Sequence, residues 1–205
     1  SNVKKISNHI TKKVGDRLDE IFKNDRVQFE KKWDDLKIFI EYGMLTDEKF
    51  YEKAKDFVLL KSSDNKYFTL DEYEKLIKEN QTDKNKTLVY LYATDKDKQF
   101  TFIENAKAKG YDVLLMDGQL DTHFINQLEQ KLKDTRFMRV DSDVVDKLIK
   151  KDEVVESHLS DEEKSQLSKM FESQLLSTVS FTVQFENMKD TDDPVIITQS
   201  EFMRR

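Results

Sequence analysis

Histidines are the side chains in this sequence whose type most directly suggests chemistry. His9, His123 and His158 lie far apart along the chain, and cysteine is absent from it. His158 lies near two carboxylates in sequence, Glu156 and Asp161, and that is a weak arrangement for a metal ion. A histidine beside carboxylates on a solvated surface is more often ion-paired than metal-bound. We therefore expect no metal site, and the lack of thiols excludes disulfides and cysteine nucleophiles.

Paired carboxylates are the next candidates, because two of them can carry out general acid–base catalysis. The pairs Asp34-Asp35, Glu162-Glu163 and Asp192-Asp193 are each formed by neighbours in sequence. Catalysis requires side chains that converge in a pocket, and adjacency alone does not provide this, so the pairs are interpreted as solvated. The four glycines lack the spacing of a P-loop or a dinucleotide fingerprint. No catalytic residue and no cofactor is therefore predicted for this chain.

The composition indicates a helix-rich chain whose partners are not nucleic acids. Charged residues make up 37% of the 205 residues, and the formal net charge is −6. No basic stripe with interleaved aromatic residues is present, so nucleic-acid binding is not expected. No apolar run approaches the roughly 20 residues that cross a bilayer, and the first residues do not form a secretory signal. We expect a cytoplasmic protein that does not bind membranes.

Residues 1–79 have the apolar spacing of a helical bundle. A broad apolar stripe near the helical period is interrupted at Gly43 and resumes over residues 50–59, which predicts two helices that meet at a glycine joint. A first helix is predicted over residues 6–22, whose apolar residues recur mostly at three- and four-residue steps. Thr69 and Glu72 have the spacing of a capping box and predict a short fourth helix. The stripe before the joint comprises Trp33, Leu36, Ile38, Phe39, Ile40 and Tyr42.

Residues 80–149 change period and are interpreted as a small αβα subdomain. Three short apolar runs predict buried strands, and the two stretches between them have helical spacing. This order implies right-handed crossovers and a parallel sheet. The predicted strands are 87–93 (TLVYLYA), 112–116 (DVLLM) and 136–140 (RFMRV), and the predicted helices are 95–109 and 119–132.

Residues 150–205 are interpreted as the start of a further domain that is cut short. Ser160 and Glu163 have capping-box spacing and begin a helix. The alternating run 178–185 (TVSFTVQF) and the short run 195–198 predict strands. The predicted fold class is therefore α/β (α+β): a helical bundle, a small αβα three-layer subdomain with a short parallel sheet, and a truncated mixed α/β segment.

The order of these segments resembles the 90-kDa heat-shock chaperones, and the sequence is similar to the bacterial members of that family over essentially the whole chain. No single block is diagnostic, but the order and spacing of the blocks together are strongly specific. The matching blocks are 6–22 (ISNHITKKVGDRLDEIF), 29–45, 47–60, 69–76, 88–93 with 111–116, and 192–196 (DDPVI).

The resemblance implies that this chain is the distal part of a middle domain followed by the opening of a C-terminal domain. In the family, the ATP site and the catalytic arginine lie upstream of such a segment, and the dimerisation helices lie downstream. The fragment is therefore expected to be no enzyme by itself, whereas the full-length protein would be a homodimeric ATPase that uses ATP and magnesium.

The resemblance also implies a binding site for client proteins on the predicted helix 119–132. Bacterial relatives carry an Asp-Glu-Trp-x-x-Asn face there that contacts unfolded clients, and this chain matches it at Asp121 and Asn126. Thr122 stands in place of the acid and His123 in place of the tryptophan. The expected client-binding residues are Asp121, Thr122, His123, Phe124 and Asn126, and the expected partners are unfolded or partly folded proteins and co-chaperones. A connector without client contact is the open alternative.

A small-molecule enzyme is the rival from another class, because parallel sheets bind ligands beyond the carboxyl ends of their strands. Those ends are expected at 93–95 (ATD) and 116–118 (MDG), and neither carries a phosphate-binding glycine pattern.

Overall fold

The structure, a computed structural model, describes residues 2–142, 159–174, 181–185 and 195–198. These residues form eight helices, a two-stranded antiparallel sheet and a three-stranded parallel sheet. The elements in chain order are α1 (Asn2–Asn24), α2 (Arg26–Lys31), α3 (Trp33–Thr46), α4 (Glu48–Ala54), β1 (Leu59–Lys61), β2 (Tyr67–Thr69), α5 (Leu70–Ile77), β3 (Leu88–Ala93), α6 (Phe100–Ala108), β4 (Val113–Leu115), α7 (Asp121–Lys131), β5 (Thr135–Arg139) and α8 (Asp161–Gln174).

Aspartate side chains set the starts of the short helices in the bundle. The Asp25 carboxylate accepts a hydrogen bond from the Gln28 backbone N–H at 3.1 Å and caps α2. The Asp47 carboxylate accepts from the N–H groups of Lys49 and Phe50 at 2.9 and 3.1 Å and caps α4. Caps of this kind satisfy N–H groups that have no partner inside the helix. The bundle therefore consists of five helices, α1 to α5, rather than the four that the sequence predicted.

Gly43 is not a joint between helices, and that prediction was wrong. Helix α3 continues through it to Thr46, and the chain leaves the helix at Asp47, where φ is −135° and ψ is 111°. A Cβ at Gly43 would lie 2.7 Å from two ring carbons of Phe50. The glycine is therefore required by the close approach of α4 to α3.

The buried stripe of α3 is narrower than the sequence predicted. Trp33, Ile40 and Met44 are completely or almost completely buried, as expected for core positions. Three residues assigned to the same stripe face solvent instead: the exposed fractions are 44% for Ile38, 74% for Phe39 and 62% for Tyr42. The 3.6-residue period is coarse enough that a run of consecutive apolar residues fits more than one face.

The predicted helix over residues 50–59 is also wrong at its end. Helix α4 stops at Ala54, and β1 pairs antiparallel with β2, so that Leu60 lies opposite Phe68. Asn65 in the connecting turn has φ of +59°, a left-handed conformation that asparagine tolerates better than most residues. An apolar run as short as 57–60 fits a buried strand as well as a helix end, and here the tertiary pairing decides.

The turn of this β1–β2 hairpin lies against the parallel sheet. The Ser63 N–H donates to the carbonyl of Val113 at 2.7 Å, and Ser62 forms an antiparallel bridge with Leu114. The Lys96 ammonium donates to the carbonyl of Ser63 at 2.6 Å. The hairpin thus covers the outer edge of β4.

The parallel sheet has the order β4-β3-β5, with β3 at its centre. Side chains alternate along β3: Val89, Leu91 and Ala93 belong to the apolar cluster with α6, whereas Tyr90 and Tyr92 belong to the cluster with the bundle and α7. Helices thus cover both faces of the sheet. Gly110 follows α6 with φ of +80°, the conformation predicted for a glycine at a helix end.

The fold class predicted from the sequence is confirmed: the chain is a mixed α/β structure with a helical bundle and a small parallel sheet. The division into 1–79, 80–149 and 150–205 stays a prediction. Helix α8 belongs to a separate compact unit, and Ser160 and Glu163 form the expected capping box before it. Residues 181–185 and 195–198 do not form the predicted strands; the predicted strand residues 178–180 lie outside the described part of the chain.

Candidate functional site

The N-terminus of α7 is held by its own first residue. Its N-cap, Leu120, has no side-chain acceptor to offer, and instead the Asp121 carboxylate accepts a hydrogen bond from the Gly118 N–H at 2.7 Å through Oδ2. A negative charge at this end of a helix also interacts favourably with the helix dipole. A Cβ at Gly118 would lie 3.1 Å from Asp121 Oδ2 and 3.2 Å from Lys37 Nζ, so glycine leaves room for this arrangement.

The five residues expected to contact clients divide into two groups on α7. Asp121 is only 2% exposed, and Phe124 is completely buried in the apolar cluster shared with the bundle. Thr122, His123 and Asn126 are exposed to solvent. The structure therefore places three of the five side chains on the surface and directs the other two inward, where they fix the position of α7.

Helix α7 is attached to the bundle by three polar contacts with α3 and α4. The Lys37 ammonium lies 2.6 Å from Asp121 Oδ2. The Gln127 side-chain amide donates to the Met44 carbonyl at 2.7 Å. Further along, the Lys131 ammonium lies against Glu48. Lys37 contacts Asp121 and Met44 contacts Gln127, so the contacts follow the same order along both helices. Helices α3 and α7 therefore lie side by side and run in the same direction.

A buried group of three ionisable side chains lies at the N-terminal end of this contact. The Lys37 ammonium is 2.6 Å from Asp121 Oδ2 and 4.0 Å from Glu41 Oε1. Burial raises the pKa of Glu41 to about 8; the negative charge of Asp121 adds to this rise, and the Lys37 ammonium opposes it. Asp121 Oδ1 is buried and accepts no hydrogen bond from the N–H groups of the described residues. The Glu41 carboxyl also forms a side-chain hydrogen bond with Asp121, and the proton on Glu41 is the donor for it.

Sequence reasoning missed Lys37, Glu41 and Gln127. A signal for the first two was present, because they lie four residues apart inside the apolar stripe of α3, where a charged residue is unexpected. A buried charge needs a partner, and Asp121 at the start of a distant helix is a partner that spacing along the chain cannot identify. Gln127 carries no comparable signal.

The carboxyl end of β3, where a small-molecule ligand would bind, is occupied by a side chain of the protein. The Gln99 carbonyl oxygen accepts hydrogen bonds from the N–H groups of Thr94 and Asp95 at 2.8 and 3.0 Å. Asp95 in turn accepts from the N–H groups of Asp97 and Lys98. The backbone donors that a phosphate would need at this strand end are thus already bonded within the chain.

Two other kinds of site, a metal centre and a membrane-spanning helix, are absent from the described part of the chain. No group of three histidine, cysteine, aspartate or glutamate side chains that could hold a metal ion occurs among those residues. His158 and Glu156 lie outside them. No described helix is both long enough and apolar enough to cross a membrane.

Comparison with solved structures gives the class of fold. The structure is similar to the middle domain of a heat shock protein from Plasmodium falciparum, with a TM-score of 0.51 and 21% sequence identity, over 66% of this chain and 56% of the other. The identity is low, so this similarity concerns the fold alone.

Sequence comparison gives the family. The Hsp90 protein family model matches residues 1–204, and the chain belongs to the Hsp90 family. It is 58% identical to the chaperone protein HtpG of Bacteroides fragilis and of Bacteroides thetaiotaomicron, and 55% identical to that of Porphyromonas gingivalis. Each of these alignments covers all of this chain and 30% of the relative. The resemblance inferred from the sequence is thereby confirmed, and the chain corresponds to less than a third of the relatives' length.

Proposed function

We propose that this chain is the part of an ATP-dependent chaperone that binds unfolded or partly folded client proteins and links its ATPase half to its dimerisation half. The observation that carries the proposal is the exposed face of α7, formed by Thr122, His123 and Asn126, on a helix that the buried residues Asp121 and Phe124 hold in place. Exposed polar and aromatic side chains on a rigid support are suited to weak, repeated contacts with many different segments.

The linking role is supported by the way in which the bundle and the sheet share their interior. One apolar cluster contains side chains from α2 to α5, from the sheet and from α7. The guanidinium of Arg26 in α2 reaches α5, where it binds both carboxylate oxygens of Glu72 at 2.5 and 2.7 Å. A segment held by a continuous core moves as one body and can transmit a displacement from one end to the other.

The remaining activities are proposed for the whole protein and not for this chain. We place the ATP and magnesium site and the catalytic arginine upstream of this segment, and the dimerisation helices downstream of it, so that this chain needs no cofactor. The proposed setting is the cytoplasm, with clients and co-chaperones as partners and without nucleic-acid or membrane contact. The reported relatives, named as chaperones, support this proposal.

A purely structural connector is the second candidate function. Its support is that two of the five expected residues, Asp121 and Phe124, are buried and therefore serve packing. His123 also offers much less apolar surface than the tryptophan of the resembled face, whose area is about 200 Å². If the connector alternative holds, α7 orients neighbouring domains and contacts no client.

The experiment that separates the two candidates is a titration of the 205-residue chain with reduced and carboxyamidomethylated ribonuclease A, which is permanently unfolded. We expect shifts of the α7 backbone amides in NMR spectra and an affinity about tenfold weaker for the His123→Ala/Asn126→Ala double variant. Thr101→Ala, an exposed position on α6 at the opposite face of the sheet, serves as the matched control and should bind like the unaltered chain. Unmoved α7 amides together with unchanged affinity would leave the connector as the function.

A further inference from the structure

The two outer strands of the parallel sheet are bordered differently. Along β4 lies the β1–β2 hairpin, whose Ser63 N–H donates to the Val113 carbonyl. Strand β5 is the outer strand on the opposite side, and no described strand pairs with its outer edge. An outer strand presents a row of backbone N–H and C=O groups with which an extended polypeptide can pair. The partners of these groups on β5 therefore decide whether the sheet can accept a further strand.

The register of β5 shows which of its backbone groups face outward. Val140 donates its N–H to the Tyr92 carbonyl of β3, and the Asp134 carbonyl accepts a hydrogen bond from the Leu88 N–H. Successive residues of a strand direct their N–H and C=O groups to opposite sides of the strand. Residues 134, 136, 138 and 140 therefore face β3, and residues 135, 137 and 139 face away from it.

The middle one of these three outward N–H groups is bonded to a side chain of α7. Phe137 donates its N–H to Glu129 Oε1, and the two atoms are 2.8 Å apart. A bond from an N–H group to an ionised carboxylate is about twice as strong as one between neutral groups. Phe137 is completely buried although it lies on an outer strand. The Glu129 carboxylate thus occupies the position that a carbonyl oxygen of an added strand would take.

The packing of α7 holds Glu129 in this position. Its neighbour Leu128 is completely buried and belongs to the same apolar cluster as Phe137. Only residues 132–134 connect α7 to β5, and Asp134 turns the chain with φ of +49°. The carboxylate is therefore presented to the edge of β5 by a helix that is fixed to the strand by both packing and a short connection.

A strand added to β5 would have to displace this carboxylate. Such a strand bonds in turn to the outward groups of residues 135, 137 and 139, so Glu129 removes the central bond of the series. The carbonyl oxygens of the incoming chain, which are partly negative, would also meet a carboxylate at that point. Charged side chains placed at a sheet edge are one of the means by which proteins prevent strand pairing.

We propose that Glu129 is a side-chain plug that closes the outer edge of β5 to strand addition by an extended polypeptide. The excluded ligand is defined by its backbone and not by its sequence, because strand addition gains its affinity from main-chain hydrogen bonds. The inference does not rest on the proposed client-binding function, which concerns other residues of α7. While Glu129 is bonded to Phe137, the parallel sheet takes no part in holding an extended chain.

Hydrogen exchange of single backbone amides, followed by NMR, tests the hydrogen bond itself. Glu129→Ala should speed the exchange of the Phe137 amide by about tenfold or more, because a bond to a charged group is lost. Glu129→Gln keeps a carbonyl oxygen within reach and should change this rate by less than about threefold. The Met138 amide, which faces β3, should exchange at the same rate in all three proteins.

Strand addition is tested with a fluorescein-labelled peptide that copies residues 87–93 of β3, the strand with which β5 already pairs, and carries lysines at both ends for solubility. Binding is followed by fluorescence anisotropy. We expect Glu129→Ala to bind the peptide at least about tenfold more tightly than the unaltered chain does, with shifts of the Thr135 and Arg139 amides in NMR spectra. The same peptide with N-methyl groups on alternate amides cannot pair as a strand and should not bind.

Two conservative variants separate the hydrogen bond from the charge. Glu129→Asp keeps the charge but is one methylene shorter, so it should open the edge as alanine does, whereas Glu129→Gln should leave it closed. This pair also decides the matter if Glu129→Ala does not fold, which the emission of the buried Trp33 reports. Gln130→Ala, at the next and exposed position of α7, is the matched control and should behave like the unaltered chain.

Three results would overturn the inference. The first is that neither Glu129→Ala nor Glu129→Asp gains affinity for the peptide. The second is that the N-methylated peptide binds as tightly as the unmodified one, which would mean that binding does not use strand pairing. The third is that Glu129→Gln gains as much affinity as Glu129→Ala, which would mean that the hydrogen bond to Phe137 does not close the edge.

Discussion

Replacing Glu41 by glutamine should make the stability of this protein much less dependent on pH. Glu41 is 2% exposed and shares the Lys37 ammonium with Asp121. Burial, together with the charge of Asp121, raises its pKa from 4.5 to about 8. The side chain is therefore protonated in the folded protein at neutral pH and ionised in the unfolded chain.

The sign of the effect follows from the number of protons bound. Between about pH 4.5 and about pH 8 the folded state holds a proton on Glu41 that the unfolded state has released, so the free energy of unfolding falls as the pH rises. Each pKa unit corresponds to about 1.4 kcal/mol, so the full loss across this window is on the order of 5 kcal/mol. Glu41→Gln removes this loss, because an amide stays neutral and can still donate a hydrogen bond to the Asp121 carboxylate.

The assay is urea-induced unfolding at a series of pH values between about 5 and 9, followed by the fluorescence of Trp33. Trp33 is the only tryptophan and is completely buried, so its emission reports the loss of the core. We expect the variant and the unaltered protein to be similar near pH 5 and the variant to be more stable by several kcal/mol near pH 9. Glu74→Gln, at an exposed position on α5, controls for the general loss of one acidic side chain.

Parallel stability profiles for Glu41→Gln and the unaltered protein over the whole range would refute the reasoning. Such a result would mean that Glu41 ionises in the folded state as easily as in the unfolded chain. The profile of the unaltered protein is subtracted from that of the variant, because the ionisation of other carboxyl groups also makes the free energy of unfolding depend on pH. Asp19 and Glu72, whose pKa values are lowered, stabilise the fold as the pH rises through the acid range, in the opposite direction to Glu41.

Two further predictions concern how the bundle is held together. Gly43→Ala should lower the free energy of unfolding by about 1–3 kcal/mol, because its Cβ would lie 2.7 Å from ring carbons of Phe50. Adding Phe50→Leu should restore part of this loss. A single variant as stable as the unaltered protein would contradict the close approach of the two helices. Arg26→Lys should lower stability by about 1 kcal/mol, since an ammonium cannot bind both oxygens of Glu72. In a Glu72→Gln background, Arg26→Lys should lower the free energy of unfolding by clearly less. Equal losses in the two backgrounds would contradict the two-point contact between Arg26 and Glu72.

The parts of the fold that depend on local pattern could be predicted from the sequence. The runs 87–93, 112–116 and 136–140 all form strands, because an apolar run of this length bounded by polar turns is typical of a buried parallel strand. The capping boxes at Thr69 and Ser160 also formed as predicted, since they need only residues three positions apart.

The parts that depend on contacts between distant segments could not be predicted in this way. The sequence predicts a helix end where β1 forms, because nothing within residues 57–60 identifies the strand that pairs with it. The exposure of Phe39 and Tyr42 was missed for the same reason: the stripe fits two faces, and only the packing of α4 and α7 selects one. Thr122, His123 and Asn126 are exposed on α7, and their contact with clients stays a prediction. The inward direction of Asp121 depends on Lys37, 84 residues earlier, which spacing along the chain does not reveal.

The hairpin turn against β4 has a consequence for the way this protein meets extended chains. An uncovered strand at the edge of a sheet pairs readily with any unfolded segment and can begin aggregation. Here the Ser63 N–H donates a hydrogen bond to the Val113 carbonyl of one outer strand, β4. The other outer strand, β5, carries Arg136 and Arg139, charged side chains that disfavour such pairing. Both edges of the described parallel sheet are in this way protected from pairing with an unfolded segment. Under the proposed client-binding function, the helix surfaces are therefore the places where an extended chain is held.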